Sequence, residues 1–376
     1  MKNNNFIGLF ATLCCMACAY GGNTSNTDNE NLDKPLTDEE KQAFINKQFE
    51  EGAFLAEVTD YSAFELIGNV KLITNTTKTT EGDFCYVPYP STSIEFGYDG
   101  RVCDTKYENK FCNHFIDRNI NGSIKTIQIG SGYSEFSDID PEIYCFSFDS
   151  INRITKVEVN DDWAFGKETN DYYYNEDHVL YSIFRREQVY EGGYTEKFDK
   201  FRISDVREDN HHNWVERTMI SNLGREIKES RKIIYHDAPT LIPIANVDDI
   251  YCYCPQDHNN NSFTIKKYNP EWNAWNDITE EINKKSNYGY IGVGDYKVVG
   301  SRLYVMMVTG ACGAPGNDYN VCYLDIKANT WHFVIACNGD SEFVDNKIKA
   351  HVFWLTKEGE CTAENEYGDS IAWIKM

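Results

Sequence analysis

This sequence lacks the residue spacings of the common catalytic motifs. It contains no G-x-S-x-G nucleophile motif, no H-E-x-x-H zinc motif, no P-loop and no G-x-G-x-x-G turn after a strand. His211 and His212 are adjacent, and adjacent residues of a strand point to opposite faces. We therefore predict a polar turn before Trp214 rather than a metal site. The sequence favours a protein that is not an enzyme and has no cofactor.

Three tryptophans are the best candidates for ligand contact. Trp272, Trp275 and Trp331 lie in predicted loops or at predicted strand edges in the second half of the chain. Flat aromatic rings stack on sugars, which makes a glycan one candidate ligand. The competing interpretation is core packing, because alternate residues of a strand face inward and large rings fill that space.

The cysteines indicate disulfides if the protein is exported. The chain has 13 cysteines, and ten of them follow residue 18. Cys337 ends a predicted strand and Cys361 begins a turn after a neighbouring strand, so we predict a bridge between them. Cys252 and Cys254 lie two apart on one strand, where their side chains run in parallel and bond each other poorly. Burial as unbridged thiols is the alternative for any pair.

The N-terminus predicts export. Lys2 is followed by an apolar run over residues 6–17, which is shorter than the roughly 20 residues of a membrane-spanning helix. Residues 1–17 are therefore interpreted as a cleaved signal peptide. The stretch ending at Cys18 resembles a bacterial lipoprotein signal, and this resemblance implies a lipid on Cys18 and an outer-membrane or periplasmic location. Cleavage after Ala19 is the alternative, and it would leave an exported protein without lipid.

The charge of the chain restricts its partners. The formal net charge is −23, and the acidic residues are spread throughout. Nucleic acids and anionic membrane surfaces repel such a protein. We expect a membrane contact through the lipid anchor, an unknown protein or glycan partner, and no nucleic acid.

A disordered tether and one helix precede the β-structure. Residues 18–34 are rich in Asn, Gly, Thr and Asp, which is typical of a tether. Thr37 and Glu40 form a capping-box pattern that predicts a helix to about Glu51. Its expected apolar face contains Ala43, Phe44 and Phe49.

Residues 35–237 predict a domain of that helix and repeated hairpins. Each hairpin has an aromatic strand, an Asn, Asp or Gly turn and a basic, β-branched strand. The units are FGYDGRV (96–102), FIDRNINGSIKTI (115–127), FSFDSINRITKV (146–157), YYYNEDHVLYSI (172–183) and MISNLGREIKE (219–229). They resemble YD repeats of the Rhs type, most fully at Tyr98, Asp99, Gly100 and Arg101. The resemblance implies an antiparallel sheet that grows by one hairpin per unit.

Residues 238–376 predict a second, smaller β domain. IKKYNPEWNAWNDI (265–278) and VCYLDIKANTWHFV (321–334) match each other as strand, turn, tryptophan and strand. They resemble kelch-type propeller blades. The region has length for about three blades, fewer than a closed propeller needs, so a partial propeller and a sandwich stay open. The whole chain is expected to be mainly β.

The leading functional hypothesis is a non-catalytic lipoprotein of the cell envelope that acts in binding, adhesion or scaffolding. A carbohydrate-binding or carbohydrate-processing protein is the alternative. An aromatic cleft with two carboxylates about 5 to 10 Å apart would favour glycoside hydrolysis. A flat exposed sheet would favour protein partners.

Overall fold

The computed structural model confirms a mainly β fold with large antiparallel sheets, and it contains the α-helix predicted before the first sheet. It describes residues 35–79, 92–107, 110–111, 115–129, 142–161, 166–190, 194–255, 263–279, 290–309, 318–338, 341–352 and 370–376. The predicted signal peptide and tether lie outside these residues. Within the described residues, no helix is long and apolar enough to cross a membrane.

Thirteen strands form the first sheet. They are β1 (Val70–Thr79), β2 (Thr92–Phe96), β3 (Val102–Tyr107), β4 (Lys110–Phe111), β5 (Phe115–Arg118), β6 (Ile124–Ile129), β7 (Glu142–Phe148), β8 (Ile154–Asp161), β9 (Gly166–Tyr174), β10 (Leu180–Tyr190), β11 (Tyr194–Glu208), β12 (Trp214–Ser221) and β13 (Glu226–Tyr235). Their order is β4-β3-β2-β1-β13-β12-β11-β10-β9-β8-β7-β6-β5, so sequence neighbours pair almost throughout. The pairing of β1 with β13 joins the start of the sheet to its last strand.

Six five-residue turns of this sheet share one backbone design. In each turn the first residue's N–H donates to the fifth residue's carbonyl, and the fourth residue's N–H donates to the first residue's carbonyl. The fourth residues have φ between 63° and 86°, and they are Gly100, Gly122, Asn152, His178, His212 and Gly224. Glycine, asparagine and histidine tolerate this left-handed region better than other residues. The turn predicted at His211 and His212 is therefore present, and it repeats the design of the predicted hairpins.

Side chains at the first position reinforce several of these turns. Asp149, Asn175 and Asp209 each accept a hydrogen bond through Oδ1 from the backbone N–H four residues later, at 2.8–3.0 Å. Ser221 does the same through Oγ. These short polar side chains are the turn signal in the sequence, because they satisfy backbone groups that the strands leave open.

Residues 52–69 include a short 3-10 helix, Tyr61–Phe64, which packs against the buried apolar residues of the first sheet. The buried Asp60 carboxylate accepts hydrogen bonds from the Val102 N–H at 2.8 Å and from both Arg118 Nη atoms at 2.6 and 2.8 Å. Val102 lies in β3 and Arg118 in β5, near opposite ends of the strand order. One carboxylate thus links the two ends of the sheet.

Further turns of the sheet contact the same segment. Asn152 Nδ2 donates to Ser62 Oγ at 2.7 Å, and Asn213 exchanges two hydrogen bonds with the Ile67 backbone at 2.7 and 2.8 Å. Phe64 is almost fully buried among the inward apolar residues of the strands. The segment therefore packs on the apolar residues of the sheet and bonds to the side chains of two of its turns.

The α-helix α1 (Asp38–Glu50) has the predicted bounds within one residue. Its buried positions are Lys41, Ile45, Gln48 and Phe49, and Ala43 is exposed, so part of the predicted apolar face is wrong. Lys41 is buried because its Nζ donates to the Val247 carbonyl at 2.6 Å. The sequence pattern predicted a buried Ala43, whereas a tertiary hydrogen bond of Lys41 determines which face of helix α1 is covered.

Four residues separate the end of the first sheet at Tyr235 from the start of the second sheet at Thr240. Its strands are β14 (Thr240–Leu241), β15 (Tyr251–Pro255), β16 (Phe263–Asn269), β17 (Ala274–Asp277), β18 (Tyr290–Val299), β19 (Arg302–Thr309), β20 (Asp318–Asp325) and β21 (Thr330–Asn338). A third sheet contains β22 (Glu342–Val344), β23 (Lys347–Val352) and β24 (Ser370–Lys375). The boundary predicted at residue 238 falls in the short connection between the first two sheets.

Helix α1 contacts both sides of that connection. Gln42 Nε2 donates to the Pro239 carbonyl at 3.0 Å, and Gln42 Oε1 accepts from the Leu241 N–H at 2.8 Å. Phe49 packs in one apolar cluster with Tyr98 of the first sheet's turn and with Cys252 of β15. The helix, assigned by sequence to the first domain, therefore also belongs to the packing of the second sheet.

Candidate functional site

A groove in the second sheet is the best candidate site in the described part of the chain. It has a volume of about 360 Å³. Its lining combines aromatic, amide and charged side chains with three aliphatic ones: Asp249, Lys267, Tyr268, Asn269, Pro270, Glu271, Asn276, Ile278, Leu324, Asn329 and Trp331. We call it the Trp331 groove.

The two turns that contribute to the groove belong to the two matching sequence units. Asn269 pairs with Ala274 across the first turn, and Asp325 pairs with Thr330 across the second. Both turns end in an asparagine with positive φ, 48° at Asn273 and 50° at Asn329. The sequence match therefore reflects the same local hairpin, although whether these units are kelch-type blades stays a prediction.

Side-chain capping is also shared by the two turns. Asn269 Oδ1 accepts a hydrogen bond from the Glu271 N–H at 3.0 Å, and Asp325 Oδ1 accepts one from the Lys327 N–H at 3.1 Å. The last residue of the first strand in each hairpin thus fixes the turn that follows it. These caps hold the backbone at the edge of the groove.

The tryptophans of the two units have different surroundings. Trp275 stacks on Phe54 with ring centroids 4.9 Å apart, and it contacts Tyr268 at 5.4 Å. It is half-buried and packs against the apolar cluster beneath helix α1. Trp275 thus has the packing role that was the competing interpretation of its sequence position.

Trp331 packs partly against the core of the second sheet and also lines the groove. Its cross-strand partner, Leu324, lines the groove beside it. Trp272 is 76% exposed in the turn before β17 and does not line the groove. Of the three predicted contact residues, only Trp331 lies at this site.

An ion pair occupies one wall of the groove. Lys267 Nζ lies 2.9 Å from Asp249 Oδ2 and 5.5 Å from the centre of the Tyr251 ring. Burial on its own would lower the pKa of Lys267, but the hydrogen bonds and charge interactions with Asp249 and Tyr251 together outweigh burial and raise it. The lysine therefore stays protonated, so it is neither a base nor a nucleophile at neutral pH.

Amides supply most of the remaining polar groups. Asn269, Asn276 and Asn329 line the groove, and Asn276 is the cross-strand neighbour of Lys267. Sequence reasoning missed Asp249, Lys267 and the amides as site residues. The alternation of side chains along β16 could have identified two of them, because Lys267 and Asn269 lie two residues apart and point to the same face of the strand.

The groove's described lining has no cysteine, serine, threonine or histidine. Such side chains supply most protein nucleophiles and general bases. Among the described residues of the whole chain, no group of three or more His, Cys, Asp or Glu side chains is placed to hold a metal ion. The tryptophan and the amides of the groove can contact a ligand through stacking and hydrogen bonding.

The remaining predicted site residues lie elsewhere. Cys18 and Cys361 are outside the described residues, and Cys337 is buried at the end of β21. The Cys337–Cys361 bridge and the lipid on Cys18 therefore stay predictions. Cys252 and Cys254 are both fully buried as thiols on one face of β15, and burial raises the pKa of Cys252 well above its ordinary value.

The adjacent histidines have structural surroundings. His212 is the left-handed residue of its turn, with φ of 63°. His211 stacks on Tyr235 with ring centroids 4.0 Å apart. Both lie on the turn between β11 and β12, and neither lines the Trp331 groove.

Comparisons with known proteins add little to this description. No family model and no curated protein matches the chain. Among solved structures, the chain is similar to a putative 6-phosphogluconolactonase from Bacteroides fragilis. The identity is 10%, the match covers 75% of this chain and 87% of that chain, and the TM-score is 0.19. A likeness at this level carries no argument about fold or function.

Proposed function

We propose that this chain is a non-catalytic binding protein of the bacterial cell envelope, which acts in ligand capture, adhesion or scaffolding. The Trp331 groove is its ligand site. The observation that carries the proposal is the combination of a partly exposed tryptophan, three amides and an ion-paired lysine in one groove. Sites of this kind bind through shape and a few placed polar groups.

The state of the charged groups supports binding without catalysis. The Asp249 carboxylate lies 2.9 Å from Lys267 Nζ, and the raised pKa of Lys267 keeps that amine protonated. An amine that keeps its proton is neither a general base nor a nucleophile. The second carboxylate in the described lining, Glu271, is exposed to solvent.

The envelope location is supported by the sequence. Lys2, the short apolar run and Cys18 have the order of an export signal with a lipid-acceptor cysteine. Replacing Cys18 with serine is expected to move the protein from the membrane fraction to the soluble fraction of the cell. Retention of the Cys18→Ser protein in the membrane fraction would contradict the anchor.

Photocrosslinking in intact cells tests ligand binding at the groove. We place the photoreactive amino acid p-benzoylphenylalanine at Asn276 in the full chain, where it faces the groove. The matched control is Tyr181, which is 46% exposed on the first sheet. Light-dependent adducts are expected from position 276 and not from position 181. Equal labelling at both positions, or none at position 276, would refute the groove as a binding site.

A further inference from the structure

We infer that the Trp331 groove takes a neutral glycan, whose pyranose ring stacks on Trp331 and whose hydroxyls bond to the surrounding asparagines. This inference rests on the proposed function and names the chemical class of its ligand. It depends on three properties of the groove: the position of its tryptophan, the number of its amides and its charge.

Trp331 supplies a flat apolar surface in an otherwise polar groove. Its ring is held by the core of the second sheet, next to Leu324, so it loses little conformational entropy when a ligand binds. A pyranose ring presents an apolar face of C–H groups between hydroxyl groups on its rim. An anchored indole with amides around it matches both parts of such a ring.

The amides suit hydroxyl partners. A carboxamide has two donors and one accepting oxygen, whereas a hydroxyl both donates and accepts. Asn269, Asn276 and Asn329 therefore can meet sugar hydroxyls whichever way each hydroxyl points. Asn329 is fixed by its left-handed backbone at the end of the turn, which places its side chain at the groove's edge.

The charges of the groove disfavour anionic ligands. Asp249 and Lys267 neutralise each other, which leaves Glu271 as the one unbalanced charge among the described lining residues. The whole chain also has a formal net charge of −23. Phosphorylated or uronic-acid ligands would be repelled at both short and long range, so the ligand is a neutral glycan.

Calorimetric titration of the full chain tests this inference. The probes are neutral hexasaccharides of glucose, mannose, galactose and N-acetylglucosamine, with hexagalacturonate as the anionic comparison. At least one neutral hexasaccharide is expected to bind saturably, and hexagalacturonate is expected not to bind. Trp331→Ala should weaken binding about tenfold, whereas Trp331→Phe should retain most of it because a ring remains.

Two matched controls separate recognition from folding. Trp272→Ala removes an exposed tryptophan outside the groove and should change the affinity less than about twofold. Asn329→Gly keeps the left-handed turn but removes the amide, so it should weaken binding without unfolding the hairpin. Equal effects of Trp272→Ala and Trp331→Ala would overturn the inference, as would preferential binding of hexagalacturonate.

The photocrosslinking result distinguishes the two proposals. Adducts at position 276 in cells, together with no binding of any neutral hexasaccharide, would refute the glycan and leave the proposed binding function standing. Absence of both adducts and glycan binding would refute both. Saturable glycan binding that depends on Trp331 supports both.

Discussion

Polar turns that contain a left-handed residue have different roles in the first and second sheets. In the first sheet, two polar turns hydrogen-bond to residues 52–69 through the side chains of Asn152 and Asn213. In the second sheet, the turns ending at Asn273 and Asn329 leave a groove between their hairpins. A polar turn therefore becomes structural where another segment covers it, and becomes available for binding where none does.

The two tryptophan hairpins show the same contrast at one residue position. Trp275 and Trp331 occupy equivalent places after equivalent turns. Helix α1 and Phe54 cover the first tryptophan, whereas the second lies at the groove. The cover comes from residues more than 200 positions earlier in the chain, so no local pattern distinguishes the two tryptophans.

Removing the carboxylate that links the ends of the first sheet is expected to have the largest effect. Asp60→Asn should lower the free energy of unfolding by about 3 kcal/mol, because Arg118 and the Val102 N–H lose a buried charged partner. Denaturant unfolding of the full chain measures the change. Glu216→Gln, which removes an exposed ion pair with Arg207, is the control and should have no measurable effect. Equal stability of Asp60→Asn and the wild type would show that the link between the two ends of the sheet does not depend on this carboxylate.

The tryptophan pair provides the second prediction. Trp275→Ala should lower the free energy of unfolding by about 3 kcal/mol, because it opens a cavity beneath helix α1. Trp331→Ala should cost about 1 kcal/mol, since part of its ring already faces solvent. Thermal or denaturant unfolding of the two variants checks the order. A larger loss for Trp331→Ala would reverse our assignment of core and groove.

His236, which follows the first sheet directly, predicts a pH dependence. Burial lowers its pKa to about 4, its Nε2 lies 2.9 Å from the Phe96 carbonyl oxygen, and its ring stacks on Tyr98. The unfolded chain takes up the proton near the ordinary pKa of about 6.5, before the folded chain does. Stability should therefore fall by roughly 2 to 3 kcal/mol as the pH drops from about 6.5 to about 4, and this contribution should not change further below that.

A matched pair of variants isolates this contribution to the pH dependence. His236→Phe retains a ring against Tyr98 and should flatten the slope of stability between those pH values. His178→Asn replaces an exposed histidine in a turn where Asn tolerates the backbone, and it should leave the slope unchanged. An unchanged slope in His236→Phe would assign the pH dependence to other groups.

The smallest expected change in stability comes from replacing a single turn residue in each of the two sheets. His212→Gly should raise the free energy of unfolding by about 0.5 kcal/mol, because glycine adopts the left-handed backbone without a Cβ clash. Asn329→Gly in the second sheet should give a smaller change, because asparagine already tolerates this backbone. Precise denaturation curves measured in parallel check the order, and destabilisation by His212→Gly would contradict the turn assignment.

The amino-acid sequence by itself predicted the local features of this protein. Capping predicted the helix that begins at Asp38. Tolerance of the left-handed backbone predicted the turns around Gly100, Asn152 and His212. Alternation along the strands predicted the matching hairpins of Trp275 and Trp331. These properties depend on neighbours within a few residues. They also predicted the mainly β class, because hairpin follows hairpin along most of the chain.

Only the tertiary structure decided which of these features are buried and which form a site. Asp60 meets Arg118 across 58 positions, and Lys41 becomes buried because it reaches the Val247 carbonyl 206 positions later. The groove likewise joins Asp249, Lys267 and Trp331 from separate strands and loops. The physical reason is that burial and charge pairing depend on the segments that pack together in space, which period and propensity along the chain do not encode.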